Sequence, residues 1–333
     1  MTQRICRTLG LALALTALPL PLAGQKLRRA VAAADVVALA TTTRVIPTKH
    51  HVLYRMRVDE ILRGPKKSAK ATTLTIVEIK RLSAHNRPVP ARQMLVCLHG
   101  FSQGAQRANL PNNFAPYFKM SGHPGSAVTL DADAQKDPRL EFARVLIASQ
   151  AGSSPRQITE RLFTIAIHGD SRVRIEAAQT LAERSVLAGY LTKLHLSKLL
   201  NRATGELTDI PYKISLATVC VERREPAVIP TLCVSVEHLG DPTFLRALGR
   251  FARFLHKEQA AAALLPHLQR AKGKTRERMI YALGATSTEG ALQSLLSMHE
   301  NGQHRAAVER ALQVHGSARA LKAIKKTPVQ AGK

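Results

Sequence analysis

The pentapeptide Gly100-Phe101-Ser102-Gln103-Gly104 follows the apolar run Met94-Leu95-Val96-Cys97-Leu98 and fits the pattern Gly-x-Ser-x-Gly. Glycines on either side of a serine permit a sharp strand-to-helix turn that exposes the hydroxyl, as a serine nucleophile requires. That chemistry also needs a helix directly after the turn. The segment Ala105-Gln106-Arg107-Ala108-Asn109-Leu110-Pro111-Asn112-Asn113 makes a poor one. A triad acid and a later histidine would have to come from the helical half of the chain. A hydrolase using Ser102 therefore ranks last among the functions considered, and Gly100 and Gly104 serve more simply as turn glycines. His50-His51, His85, His99 and His123 raise the question of a metal. No pair stands at zinc spacing with a cysteine or carboxylate, and no His-Glu-x-x-His occurs. The expectation is no metal, no cofactor and no enzyme.

Charge is the next source of chemistry. Against 49 Lys+Arg there are 23 Asp+Glu, a formal net charge of +26. Two readings are open: a soluble surface, or a surface facing an anionic partner. Arg63, Lys66, Lys67, Lys70, Lys80 and Arg81 form the densest basic cluster, and a second runs from Arg223-Arg224 through Arg270 and Lys272 to Arg278. Arg174, Arg246, Arg276 and Arg305 each fall early in a predicted helix. They are the candidate residues for contact with an anion or partner. The alternative is that each pairs with an acidic residue of a neighbouring helix.

Four cysteines are present. Cys6 lies in the leader described below. Cys97, Cys220 and Cys233 remain, so at least one is free. Cys220 and Cys233 fall on consecutive helices, where a disulfide is the alternative; burial as small apolar residues is the reading preferred for all three.

Positioning these residues falls to two kinds of element. Residues 1–24 read as a signal peptide: Arg4 and Arg7, an apolar run broken by Pro19 and Pro21, then Ala23-Gly24. An uncleaved anchor is the alternative. No later stretch is apolar enough to span a bilayer. Residues 26–130 read as β-rich, with strands at 36–42, 51–58, 73–79 and 94–98, and short pieces near 117–120 and 127–130. Glu60-Ile61-Leu62-Arg63-Gly64-Pro65 reads as the turn that ends the second strand. Residues 131–138 read as a linker. Residues 139–327 carry helical periodicity in twelve segments: 140–150, 156–168, 170–183, 192–201, 211–221, 226–236, 242–254, 259–269, 275–283, 289–298, 304–314 and 318–325. Residues 328–333 read as a disordered tail. Ala-Leu pairs recur at Ala247-Leu248, Ala282-Leu283 and Ala311-Leu312. The second helices of successive pairs begin about 30–40 residues apart, the spacing of a two-helix repeat. The fold class expected is a small antiparallel β-barrel or sandwich followed by an all-α solenoid.

Two stretches resemble known families. Asp170-Ser171-Arg172-Val173-Arg174-Ile175-Glu176-Ala177-Ala178-Gln179-Thr180-Leu181 has the pattern Asp-x-x-Val-Arg-x-x-Ala-x-x-x-Leu and resembles the second helix of a HEAT repeat, including the HEAT-like repeats named after phycobilisome lyases. The resemblance extends over the helical half and implies a stacked-helix scaffold. The order Ala34-Asp35-Val36-Val37, Val58-Asp59-Glu60-Ile61-Leu62-Arg63-Gly64-Pro65, then Leu95-Val96-Cys97-Leu98 resembles a small OB-like barrel of secreted bacterial proteins, and implies no activity. The serine pentapeptide is similar to the α/β-hydrolase elbow, but the alternating strands and helices of that fold are missing. The function expected is an exported, periplasmic or extracellular interaction scaffold that binds a protein or an anionic envelope component. A nucleic-acid-binding HEAT-like protein is the alternative.

Overall fold

A computed structural model describes residues 26–48, 51–64, 72–79, 88–89, 91–100, 110, 117–120, 126–131, 133–205 and 209–326. The expected signal segment 1–24, Ser102 and Gly104, His50, His85 and His123, Lys66, Lys67, Lys70, Lys80 and Arg81, and the tail 328–333 lie outside them. Two compact units divide the chain, Met1–Thr180 and Leu181–Lys333.

The first unit holds a closed barrel. Its strands are β1 (Val36–Pro47), β2 (His51–Arg63), β3 (Thr73–Ile79), β4 (Gln93–Gly100) and β5 (Tyr117–Met120). They run in the order β1-β2-β3-β5-β4, and β4 pairs back onto β1. Closure leaves no long unpaired edge. A sixth strand, β6 (Ala127–Thr129), pairs with β4 at Met94, Leu95 and Val96. The expected antiparallel barrel contains one parallel pair, Thr75 and Ile76 beside Tyr117 and Phe118. Parallel neighbours need a long crossover, and the chain runs through β4 between them.

Alternation sends Ala38 and Ala40, Tyr54 and Met56, and Leu74 and Ile76 into one core with Met94, Val96 and Leu98. Val52 and Val58 pack against it, so the expected face of β2 is the inner one. The expected turn at 60–65 is a correction. Strand β2 continues to Arg63, because Val37, Ala38 and Leu39 of β1 offer pairing to Arg63, Ile61 and Glu60. Register shifts accompany this pairing between Val37 and Ala38 and between Leu39 and Ala40. Such bulges let a strand keep pairing while it bends around a small barrel.

Before the barrel stands a helix that reading 26–130 as β-rich overlooks: α1 (Lys26–Ala33). Eight residues are too few to be helical alone. Tertiary contacts supply the difference. Leu27, Ala30 and Val31 are buried on one face. At the N-terminus the Glu176 carboxylate accepts from Arg28 N–H at 2.7 Å and from Leu27 N–H at 3.4 Å. Near the C-terminus the Arg63 guanidinium donates to the carbonyls of Val31 and Ala34, and to the side chain of Gln150. An anion at the positive end and a cation at the negative end both favour the helix dipole and satisfy its orphan groups. Arg63, part of the densest basic cluster in sequence, is thus committed to an internal contact.

Asp131 and residues 133–138 gather around a buried carboxylate. A 3₁₀ turn at Ala134–Lys136 leads into Asp137, which caps α2 (Pro138–Gln150). Asp137 is 1 % exposed. It accepts from Arg139 N–H at 2.8 Å and Asp131 N–H at 2.9 Å, and pairs with the Arg139 guanidinium at 2.6 Å. Burial would raise the Asp137 carboxyl, but the hydrogen bonds from Arg139 and Asp131 outweigh it and hold the carboxyl below the ordinary carboxylate range. Its stabilisation is therefore present above the ordinary pKa and lost as pH falls through the lowered value. Asp137→Ala is expected to cost about 2–3 kcal/mol at neutral pH, through the lost cap and the lost shorter of the two ion pairs of Arg139, which keeps Asp131 at 3.4 Å. A urea midpoint by circular dichroism checks it; an unchanged midpoint would make the network dispensable.

Next come α3 (Pro155–His168), α4 (Ser171–Glu183) and the short α5 (Ser185–Ala188), the last also unanticipated. The second unit continues with α6 (Lys193–Thr204), α7 (Ile210–Glu222), α8 (Val228–Ser235), α9 (Pro242–His256), α10 (Ala260–Arg270), α11 (Gly273–Gly284), α12 (Glu289–Glu300), α13 (Arg305–His315) and α14 (Ala318–Lys326). All twelve expected helices are present within a few residues of their expected ends. From α7 onward they stack in two rows: α7, α9, α11 and α13 touch in succession, and so do α8, α10, α12 and α14.

The Ala-Leu pairs explain the tightness of the first row. A side chain at Gly249 would meet the Ala282 carbonyl oxygen at 2.3 Å, and one at Gly284 would meet the Ala311 carbonyl oxygen at 2.3 Å. The same contact, glycine against the alanine of the next pair, thus recurs between α9 and α11 and between α11 and α13. Only a residue without Cβ permits that approach.

Candidate functional site

The strongest candidate is the outward face of α9 and the shallow groove beside it. Asp241 starts the helix by accepting from Thr243 N–H at 2.7 Å and Phe244 N–H at 3.2 Å, and Pro242 occupies the first turn. Phe244, Leu248, Phe251 and Ala252 turn inward and are buried. That fixes Arg246, Arg250 and Arg253 on the opposite side, at i, i+4 and i+7, and all three are exposed. From Pro242 to His256 there is no acidic residue. Among the described residues, Arg250 and Arg253 have no hydrogen bond or ion pair.

Arg246 joins this stripe to the groove. Its Nε donates to the Tyr281 hydroxyl at 2.8 Å. The guanidinium carbon lies 5.9 Å from the ring centroid, at the outer limit of a cation–π contact. The groove is floored by Leu245, Tyr281 and Ala307 and bordered by Pro242, Arg278 and Arg310, with Glu277 also on its wall. Arg278 is held in place: it donates to the carbonyls of Val236 at 3.0 Å and Glu237 at 2.7 Å, beyond the end of α8. Arg310 Nε donates to Ala306 O at 3.1 Å on its own helix.

Aligning the helices on their Ala-Leu pairs sorts the sequence-derived candidates. Arg246, Tyr281 and Arg310 each immediately precede the alanine, so they form one column across α9, α11 and α13. Arg276 and Arg305 stand six residues before the alanine and form another. Arg276 is half-buried and its Nε is enclosed without a hydrogen-bond partner among the described residues. Arg305 pairs with Glu309 at 3.1 Å on its own helix. Arg174 is half-buried and belongs to the first compact unit. Of the four candidates, the fold brings Arg246 to the groove. Arg250 and Arg253 were missed in the sequence. Their signal is Arg-Ala-Leu-Gly-Arg-Phe-Ala-Arg, three arginines at helical spacing over an apolar face, which an early-helix criterion passes over.

The remaining chemistry is sparse. Asp35 Oδ2 accepts from Gly100 N–H at 3.2 Å and lies 3.2 Å from His99 Nδ1. The Gly100 amide, then His99, hold the Asp35 carboxyl below its ordinary range. This exposed pair sits at the end of β4; Ser102 lies beyond the described residues. No group of three or more His, Cys, Asp or Glu among the described residues is arranged to hold a metal ion. Cys97, Cys220 and Cys233 are free and buried. Burial pushes each thiol up to about 12, far from the thiolate needed for reactivity. No helix among the described residues is long and apolar enough to cross a membrane. Comparison with protein-family models, with curated proteins and with solved structures finds no significant match for this chain.

Proposed function

We propose that the protein is an exported, non-enzymatic interaction scaffold whose helical unit binds an anionic partner. The observation that carries this reading is the exposed, acid-free arginine face of α9, where Arg250 and Arg253 have no partner among the described residues of their own chain. Structural arginines are normally occupied, as Arg63, Arg139 and Arg278 are here. Two adjacent unoccupied guanidiniums, rigidly mounted on a helix, suit a ligand with carboxylate or phosphate groups. The two-row helix stack supports a HEAT-like repeat as the architecture, since such stacks offer long surfaces rather than a single pocket. The strand order with its parallel β3–β5 pair supports an OB-like first domain. The leader-like residues 1–24 support export to the periplasm or the extracellular space.

Binding to anionic probes over a salt series tests the proposal. Duplex DNA, an acidic polypeptide and anionic lipid vesicles should be separable at physiological salt, with one class retained. Equal, weak binding to all three that vanishes at modest salt would reduce the charge to a general surface property. Nucleic acid is the second reading, favoured by the same unoccupied arginines. Tight DNA binding with a steep salt dependence would establish it.

A further inference from the structure

We infer that the α9 stripe and its groove form one binding site for an extended acidic segment of a partner polypeptide, with an uncharged apolar side chain seated in the groove. The inference rests on the scaffold reading above and names the partner for its arginine face. Two features on one continuous surface have to be explained together. The first is the cationic row Arg246, Arg250 and Arg253, which advances about 10 Å along the helix. An extended peptide covers that distance in about three residues, with alternate side chains on the same side. Carboxylates at alternate positions therefore match the row. The second is the groove, floored by Leu245, Tyr281 and Ala307. Duplex DNA keeps its bases stacked inside and presents phosphates, so it leaves an apolar floor unfilled, whereas a peptide has side chains to fill it.

The apolar floor decides what enters the groove. Glu277 shares the wall with Arg278 and Arg310, so the charge there is mixed, and burying a carboxylate against Leu245, Tyr281 and Ala307 would cost its solvation; the seated side chain is neutral and the acids lie outward along α9. Arg246 bridges the two halves. Its hydrogen bond to Tyr281 holds the ring as one side of the groove while its charge begins the row. Tyrosine beside arginine is also the composition of strong protein-recognition sites.

The test uses the full chain and fluorescence anisotropy with a labelled twelve-residue peptide of alternating Asp and Ser carrying one central Phe. Comparison probes are the same peptide with Phe replaced by Gly, the same peptide with Asp replaced by Asn, and a twelve-nucleotide oligothymidylate. The Phe-bearing acidic peptide is expected to bind tightest. Losing the Phe should weaken it roughly fivefold, and losing the acids at least roughly tenfold. The double variant Arg250→Gln/Arg253→Gln removes exposed side chains that have no partner among the described residues, so it should keep its circular dichroism and melting profile yet lose roughly tenfold in affinity. Tyr281→Ser should abolish the advantage of Phe over Gly while leaving the dependence on acids.

The inference is overturned, with the scaffold reading intact, if the acidic peptide binds equally well to the double variant. Oligothymidylate bound more tightly than the peptide through the same arginines would also overturn it and make the ligand a nucleic acid. If no anionic probe binds at low salt, the inference and the scaffold reading fall together.

Discussion

Gly284→Ala is expected to destabilise the helical unit by up to about 2 kcal/mol net, although alanine is the better helix former. An added methyl group would sit 2.3 Å from the Ala311 carbonyl oxygen and 2.9 Å from its Cα, both backbone atoms of the next helix. Backbone cannot rotate away, so α11 and α13 must separate, and overpacking of this kind costs about 1–3 kcal/mol. The roughly 1 kcal/mol gained from helix propensity offsets only part of it. Gly249→Ala meets the Ala282 carbonyl oxygen at the same 2.3 Å and the Ala285 Cβ at 2.7 Å, so it should behave alike. Gly290 supplies the control: its nearest neighbour would be the Ala261 Cβ at 3.5 Å, an ordinary contact. Gly290→Ala should leave stability unchanged or raise it by up to about 1 kcal/mol. Thermal and urea melts of the three variants decide the matter. If Gly284→Ala melts with or above the parent protein, the helix approach is looser than the repeated glycine contact implies.

The second large effect is a dependence of stability on pH through Glu176. The residue is 3 % exposed. Burial pushes its carboxyl from an ordinary 4.5 up to about 7, despite the lowering influence of the Arg28 and Leu27 N–H groups. A carboxyl whose folded-state pKa lies above its unfolded value binds more protons in the folded protein. Stability from this site is therefore greatest below about pH 4.5, declines as pH rises toward 7, and levels off above that. The full change is about 3 kcal/mol. Glu176→Gln keeps the shape and one acceptor but cannot titrate. The unfolding free energy of the parent minus that of the variant should fall by about 3 kcal/mol between pH 4.5 and pH 8, other titrating groups cancelling in the difference. A pH-independent difference would show that the carboxylate is solvated or fully compensated by the α1 amides. At neutral pH the loosening should be concentrated at α1, whose first turn depends on this carboxylate, and amide exchange of residues 27–31 would report it.

These two sites also show where local sequence stops being informative. The helices beyond residue 138 were readable because each carries its own apolar stripe at a period near 3.6, a property of consecutive residues. The barrel strands were readable for the same reason at a period of two, with Tyr54 and Met56 on the expected face. Helix α1 was not. Lys26-Leu27-Arg28-Arg29-Ala30-Val31-Ala32-Ala33 is too short to be helical unaided, and Glu176 and Arg63, which complete its ends, lie far along the chain. Nor was the length of β2, because residues 60–63 read locally as a turn, and the partner that keeps them extended is β1.

The candidate site divides the same way. Arg246 carried a visible signal, and the acid-free run of α9 could have been read more closely to yield Arg250 and Arg253. Chemical character, the sign of charge and the two kinds of fold follow from residue types and their periods. Which arginines are spent inside the protein depends instead on distant carbonyls and carboxylates. Arg63 and Arg278 look as available in the sequence as Arg250 does. Glycines at 249 and 284 let α9, α11 and α13 approach closely, and Tyr281 of α11 meets Arg246 of α9. Such contacts join residues some 30 positions apart, and no window of consecutive residues contains them.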